Sequence, residues 1–286
     1  MRPTSPTLLG TTLAAALLAA RANAEVVDTR EIDQSIPVSA VVPLVVIVRN
    51  VMGSVRVTGH DRDSVELHAT ETVRGDLRAD IDRARAELGL VTEQEPGRIA
   101  FRVRRTNEDK DCNCNNWGSW DGYRVQYDIE VRVPRSAAVE LATVNDGEVV
   151  AEGVYGTFKL SNVNGAVRLT GARSGGSVNT VNGDVTVSFE RMPGEATQFK
   201  TVNGSLDVTY PTTFAGSLDF KTMNGDVYTD FDVVALAEPA TVERTNGRGM
   251  FRMRSNHNSA FRVGTGGERH SFNTLNGSIY VRKAKS

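Results

Sequence analysis

The sequence predicts an all-β protein, a β-solenoid of roughly 20-residue coils with one short N-terminal capping helix. Three observations carry that prediction: an Asn-Gly motif recurs in phase, apolar and polar residues alternate on both sides of each copy, and glycine is frequent where aromatics are few.

The motif reads T-V-N-D-G-E-V from Thr143, N-V-N-G-A-V from Asn162, T-V-N-G-D-V from Thr180 and T-V-N-G-S-L from Thr201. It continues as T-M-N-G-D-V from Thr222, R-T-N-G-R-G from Arg244 and T-L-N-G-S-I from Thr274, with an outlying N-V-M-G-S-V at Asn50. The dipeptides Asn164-Gly165, Asn182-Gly183, Asn203-Gly204, Asn224-Gly225, Asn246-Gly247 and Asn276-Gly277 follow one another at intervals of 18, 21, 21, 22 and 30 residues. The last interval is therefore expected to hold one inserted loop.

Each unit holds two short strands. Phe199 and Thr201 share one face before the turn and Leu206 and Val208 share one after it, the period of two that marks half-buried strands. Asn and Gly tolerate positive φ, so the chain is expected to reverse or corner there. Two architectures fit. A hairpin-based antiparallel sheet or sandwich would place Val202 opposite Ser205 and Thr201 opposite Leu206. A solenoid would stack equivalent positions about 4.8 Å apart. Recurrence of the same Thr and Asn favours the solenoid, in which like side chains form ladders between coils.

Residues 1–24 read as a signal peptide, with Arg2, an apolar stretch from Leu8 to Ala20 and Ala22-Asn23-Ala24 before the expected cleavage. The expected mature protein is exported to the periplasm or cell surface and has no transmembrane segment. The net charge of −2 becomes −4 when Arg2 and Arg21 are lost, which argues against a nucleic-acid partner. Residues 25–141 form an irregular β region, and 142–286 form the repeat region continuous with it. A helix at about 76–89 is predicted from the stripe Leu77, Ile81, Ala84 and Leu88, covering an open end or face of the β-structure.

The loop 107–122 is rich in Cys, Asn and Trp. Asp109, Asp111, Asn113 and Asn115 alternate like early calcium ligands, but Cys114 and Trp120 stand where the turn glycine and the bidentate glutamate belong. Cys112 and Cys114 are the only cysteines; a local disulfide, a bridge between chains and free thiols all remain open. Trp117, Trp120 and Tyr123 are candidates for stacking on a sugar or a partner protein, with packing back on the sheet as the alternative.

Catalytic constellations are not apparent. His60, His68, His257 and His270 are scattered, and there is no metal-binding H-E-x-x-H, no nucleophile elbow and no phosphate loop. Glu148, Asp184, Asp207, Asp219 and Asp226 recur after the turns, as a solvated face does.

The T-V-N-G-D-V series, the strand ending Val131-Arg132-Val133-Pro134 and the segment N-V-M-G-S-V-R-V-T-G-H-D together resemble the bacterial putative adhesin family, a β-strand-repeat domain of unknown function. The resemblance covers roughly residues 40 to 283. Met52, the extra Asp146, Arg248-Gly249 and the Cys/Asn loop depart from the pattern. The resemblance implies a solenoid-like extracytoplasmic fold and supplies no catalytic residues or cofactor. The expected function is noncatalytic binding of an envelope or surface protein or glycan. A periplasmic envelope-stress sensor or scaffold, and a polysaccharide-processing β-helix enzyme, are the alternatives.

Overall fold

A computed structural model describes residues 25–39, 43–105, 122–236, 240–244, 251–255 and 259–285. The expected signal peptide and Asn246-Gly247 lie outside the described residues. The same holds for Asp109, Asp111, Cys112, Asn113, Cys114, Asn115, Trp117 and Trp120.

The N-terminal part holds β1 (Val26–Pro37), β2 (Val45–Arg49), β3 (Val55–His60), β4 (Ser64–Gly75), α1 (Arg78–Glu87), β5 (Leu88–Glu95), β6 (Arg98–Arg105) and β7 (Tyr123–Pro134). The central repeats form β8 (Ala138–Ala142), β9 (Val149–Glu152), β10 (Phe158–Ser161), β11 (Val167–Ala172), β12 (Gly176–Asn179), β13 (Val185–Phe189), β14 (Thr197–Lys200) and β15 (Leu206–Tyr210). The remainder forms β16 (Gly216–Asn224), β17 (Val227–Thr229), β18 (Val233–Ala235), β19 (Ala240–Arg244), β20 (Phe251–Ser255), β21 (Ser259–Val263), β22 (Arg269–Asn276) and β23 (Ile279–Lys283). A 12-stranded sheet runs β1-β4-β7-β3-β9-β11-β13-β15-β23-β17-β20-β19. An 11-stranded sheet runs β18-β21-β16-β22-β14-β12-β10-β8-β2-β6-β5.

The two strands flanking each described Asn-Gly lie in different sheets. β14 pairs in parallel with β12, whereas β15 pairs in parallel with β13. The hairpin pairing of Thr201 with Leu206 does not occur, and the molecule is a two-sheet β-solenoid. Inward positions alternate as the sequence pattern requires: Phe199, Leu206, Val208 and Tyr210 are buried while Gln198 and Lys200 face solvent. A single coil buries only a handful of such side chains, each contributing about 1.5–3 kcal/mol. Stacking against neighbouring coils is what makes the burial complete.

Spatial order departs from chain order at both ends. The coil β22/β23 sits between β14/β15 and β16/β17, and β2/β3 sits between β6/β7 and β8/β9. Asn276 therefore follows Asn203 in the stack, and the expected reading of the last interval as a simple loop insertion is corrected. The outer coils carry antiparallel partners, β21 on β16, β20 on β17 and β4 on β7. An antiparallel neighbour interrupts the parallel stack, so these additions close its ends.

Helix α1 covers the extended β1–β4–β7 end. Ile81 and Ala84 pack on Val73, with Val26, Tyr123 and Val125 beside them. Leu77 precedes the helix and is 64% exposed, so the predicted stripe begins at Ile81. The Asp80 carboxylate accepts the Leu77 backbone N–H at 2.9 Å, satisfying one free donor at the helix start. Beneath the helix, Glu71 is fully buried. It pairs with Arg30 at 2.9 Å and with Arg85 Nε at 2.9 Å, and it accepts the Tyr127 hydroxyl at 2.6 Å.

The C-terminal half of the core is aromatic: Tyr210 stacks on Phe189 at 4.9 Å and on Phe214 at 4.2 Å. His270 is fully buried beside them, sharing a hydrogen bond with the Thr197 hydroxyl at 2.8 Å through Nδ1. Burial pushes its imidazole down to about 4. Unfolded histidine titrates near 6.5, so the contribution of the neutral ring is fully present above that pH. It falls as the pH drops from about 6.5 to 4, by up to about 3 kcal/mol. His270→Phe is expected to flatten this part of the acid dependence, read from urea midpoints between pH 7 and 4. The same slope in wild type and variant would reject the assignment.

Candidate functional site: the periodic corner

The T-V-N-G-x-V unit folds the same way in each stacked coil, and each position acquires its own row. The Thr side chain points inward and donates to a glycine carbonyl on the neighbouring coil. These bonds are Thr143 to Gly53 at 2.8 Å, Thr180 to Gly165 at 3.1 Å, Thr201 to Gly183 at 3.0 Å, Thr274 to Gly204 at 3.0 Å and Thr222 to Gly277 at 3.1 Å. Asn162 makes the equivalent bond to Gly147 at 2.9 Å. The expectation of Thr-to-Thr ladders is corrected: the backbone carbonyl is the acceptor, because the inward hydroxyl meets it first.

The following Asn does form a ladder of like side chains. Asn224 Nδ2 donates to Asn276 Oδ1 at 2.7 Å, Asn276 to Asn203 at 2.7 Å, and Asn203 to Asn182 at 2.8 Å. The run continues from Asn182 to Asn164 at 2.8 Å and from Asn164 to Asn145 at 2.7 Å. Met52 bridges Asn145 by backbone and ends the amide ladder there. The inserted Asp146 is accommodated at φ 56 and pairs with Arg124 at 3.4 Å.

The glycines answer to close approach more than to φ. Gly147, Gly165, Gly183 and Gly225 do not have positive φ, which corrects the expected role of Asn-Gly as a left-handed turn. A Cβ on Gly183 would stand 2.2 Å from the Gly165 carbonyl oxygen, and one on Gly204 2.0 Å from that of Gly183.

Between Thr and Asn lies a residue that points out. Val51, Val144, Val163, Val181, Val202, Leu275 and Met223 therefore line up as an apolar row beside the amide ladder. Val163, Val181, Leu275 and Met223 are 37%, 39%, 42% and 61% exposed. On one flank the next outward row carries Arg49, Lys200 and Lys221 at three of its seven positions, with Ala142, Ser161, Asn179 and Asn273 at the others, aligned by strand register. On the other, after the glycines, Glu148, Asp184 and Asp226 stand among Ser54, Ala166, Ser205 and Ser278. The sequence analysis assigns this apolar position no role. Its signal was present, since Thr inward at one position requires its neighbour outward at the next.

The recurrent carboxylates serve local structure. Asp184 accepts the Ser205 backbone N–H at 2.7 Å, Asp207 pairs with Arg282 at 2.8 Å and Asp219 with Arg269 at 3.1 Å. Tyr280 stacks on Tyr228 at 5.2 Å beside that Arg282. Of the aromatic loop candidates only Tyr123 is described. Its hydroxyl donates to Glu87 at 2.6 Å, the Arg83 guanidinium lies over its ring, and burial with the Glu87 contact pushes the phenol up to about 12. Among the described residues no group of three or more His, Cys, Asp or Glu is placed to hold a metal. No described helix is long and apolar enough to cross a membrane.

Stacked coils with ends closed by antiparallel strands define an all-β repeat protein of the solenoid class. Residues 127–259 match the family described as Toastrack DUF4097, whose function is unknown. No curated protein matches the chain. Among solved structures it is similar to a putative cell adhesion protein from Clostridium sporogenes, with 9% identity, 89% of this chain and 100% of that one covered, and a TM-score of 0.42. A putative adhesin from Bacteroides fragilis is similar at 9% identity, over 89% and 97% of the two chains, with a TM-score of 0.35. A putative lipid binding protein from Parabacteroides distasonis follows at 12% identity, over 91% and 97%, with a TM-score of 0.25. No residue role passes from these proteins to this chain.

Proposed function

We propose that this is a noncatalytic exported envelope protein that binds a surface component through the periodic corner. The observation that carries the reading is the exposed Val/Leu/Met row running beside the amide ladder. Apolar side chains at regular spacing, flanked by hydrogen-bonding amides and by charge of both signs, form a recognition surface with little to rearrange on binding. The use of Asp184, Asp207 and Asp219 in local structure supports a binding role over acid–base chemistry. The leader-like residues 1–24 support export.

The test is capture from an envelope extract, beside a glycan array, using wild type, Val181→Lys/Leu275→Lys and Trp117→Ala/Trp120→Ala. The corner variant is expected to fold, because both positions face solvent, and to lose a component that wild type retains. Capture unchanged in the corner variant but lost in the tryptophan variant would move recognition to the loop and reject the corner.

A further inference from the structure

The corner has a period and a polarity, and together they select a partner. Seven apolar positions at about 4.8 Å intervals make a row about 29 Å long. A surface of different rise falls out of step with it within a few rungs. Matching over the whole length requires a partner of the same rise, and a second copy of this solenoid has it. We infer that this protein pairs with a second copy of itself, corner to corner and with the two solenoid axes parallel; this rests on the reading of the corner as a recognition surface.

Charge fixes the orientation. On the last spatial coil the perimeter order is basic, apolar, amide, acidic, in Lys221, Met223, Asn224 and Asp226; Arg49 and Lys200 repeat the basic position on two other coils, and Glu148 and Asp184 the acidic position on two more. Lys200 and Lys221 form no ion pair among the described residues. A two-fold axis parallel to the solenoid axis and passing through the apolar row lays that row on its copy. It also sets the basic row of each copy over the amide and acidic rows of the other. A two-fold axis perpendicular to it would lay basic on basic and acidic on acidic, which costs affinity. The parallel arrangement keeps the coils level, so Leu275 meets Leu275 and Lys221 meets Asp226 across the axis.

The contact is modest. A strip about 29 Å long and about 20 Å wide covers roughly 600 Å² per copy, below the ~800 Å² of a standard interface. A dimer dissociating in the micromolar range, weakened by salt, is expected.

Sedimentation of purified chain, without its leader, at concentrations up to about 100 μM reads this directly. A concentration-dependent dimer is expected, abolished by Val181→Lys/Leu275→Lys, weakened by Lys200→Glu/Lys221→Glu, and recovered when Asp184→Lys/Asp226→Lys is added to the latter. In a Cys112→Ser/Cys114→Ser background, Leu275→Cys is expected to form a homodisulfide under mild oxidation. A chain that stays monomeric throughout overturns the inference. Preferential bridging of Leu275→Cys to Val144→Cys overturns the parallel arrangement, since those positions meet only when the coil order is reversed. If the chain is monomeric while corner variants still lose an envelope component, self-pairing fails and recognition by the corner stands. A corner-dependent dimer with unchanged envelope capture has the converse meaning.

Discussion

Gly277→Ala is expected to destabilise the protein by about 3 kcal/mol or more, although it adds a single methyl group. The added Cβ would stand 1.9 Å from the carbonyl oxygen of Gly204 and 2.5 Å from its carbon, and both are backbone atoms. Relief requires the coil β22/β23 to move away from β14/β15. That motion stretches the Asn276–Asn203 amide bond at 2.7 Å, the Thr274–Gly204 bond at 3.0 Å and the backbone bond from Asn276 to Val202 at 2.8 Å. Gly194→Ala is the matched control, because nothing lies within 4 Å of the position its Cβ would take. Urea unfolding of the two variants should separate them clearly. A Gly277→Ala midpoint indistinguishable from that of Gly194→Ala would show that the coils are not held in backbone contact.

The second large effect is expected at Glu71. Its carboxylate has no exposure and balances two guanidinium groups while accepting a phenol, so Glu71→Ala leaves Arg85 with Asp28 alone, at 3.3 Å, and Tyr127 facing a cavity with no acceptor. Removing one member of a buried charge pair typically costs about 3–5 kcal/mol, chiefly through the stranded partner. Burial and the Glu71 contact already hold the Tyr127 phenol above its ordinary range. Because Arg85 lies on α1 and Arg30 on β1, hydrogen exchange should accelerate first in those two elements while β8 to β15 stay protected. A loss under about 1 kcal/mol with uniform exchange would mean that the helix is held without Glu71, by Ile81, Ala84 and the pairing of Arg78 and Arg85 with Asp28.

The solenoid itself was legible because its determinants are local. Alternation about each Asn-Gly names the buried residues, and repetition of Thr and Asn announces contacts between like coils. Which acceptor the Thr hydroxyl finds was not legible, since that depends on the neighbouring glycine carbonyl arriving at hydrogen-bonding distance. Glycine was misread for the same reason: Gly183 answers to the backbone of Gly165 rather than to its own φ. Of the proposed corner, the apolar row follows from alternation alone. The basic and acidic flanks do not, because Arg49, Lys200 and Lys221 come together only through register across six strand pairings.

The sequence by itself determined the coil: its length, its inward and outward residues and its Asn-Gly corner, all set by side-chain period within about 20 residues. Tertiary structure alone decided the order of the coils. T-L-N-G-S-I at Thr274 and T-M-N-G-D-V at Thr222 are chemically equivalent rungs, so nothing local says which should stack on Asn203. The choice falls to the strands around them. β16 and β17 pair antiparallel with β21 and β20 on one edge, leaving only the other edge for a parallel neighbour, and β22/β23 occupies it because both of its edges accept parallel strands.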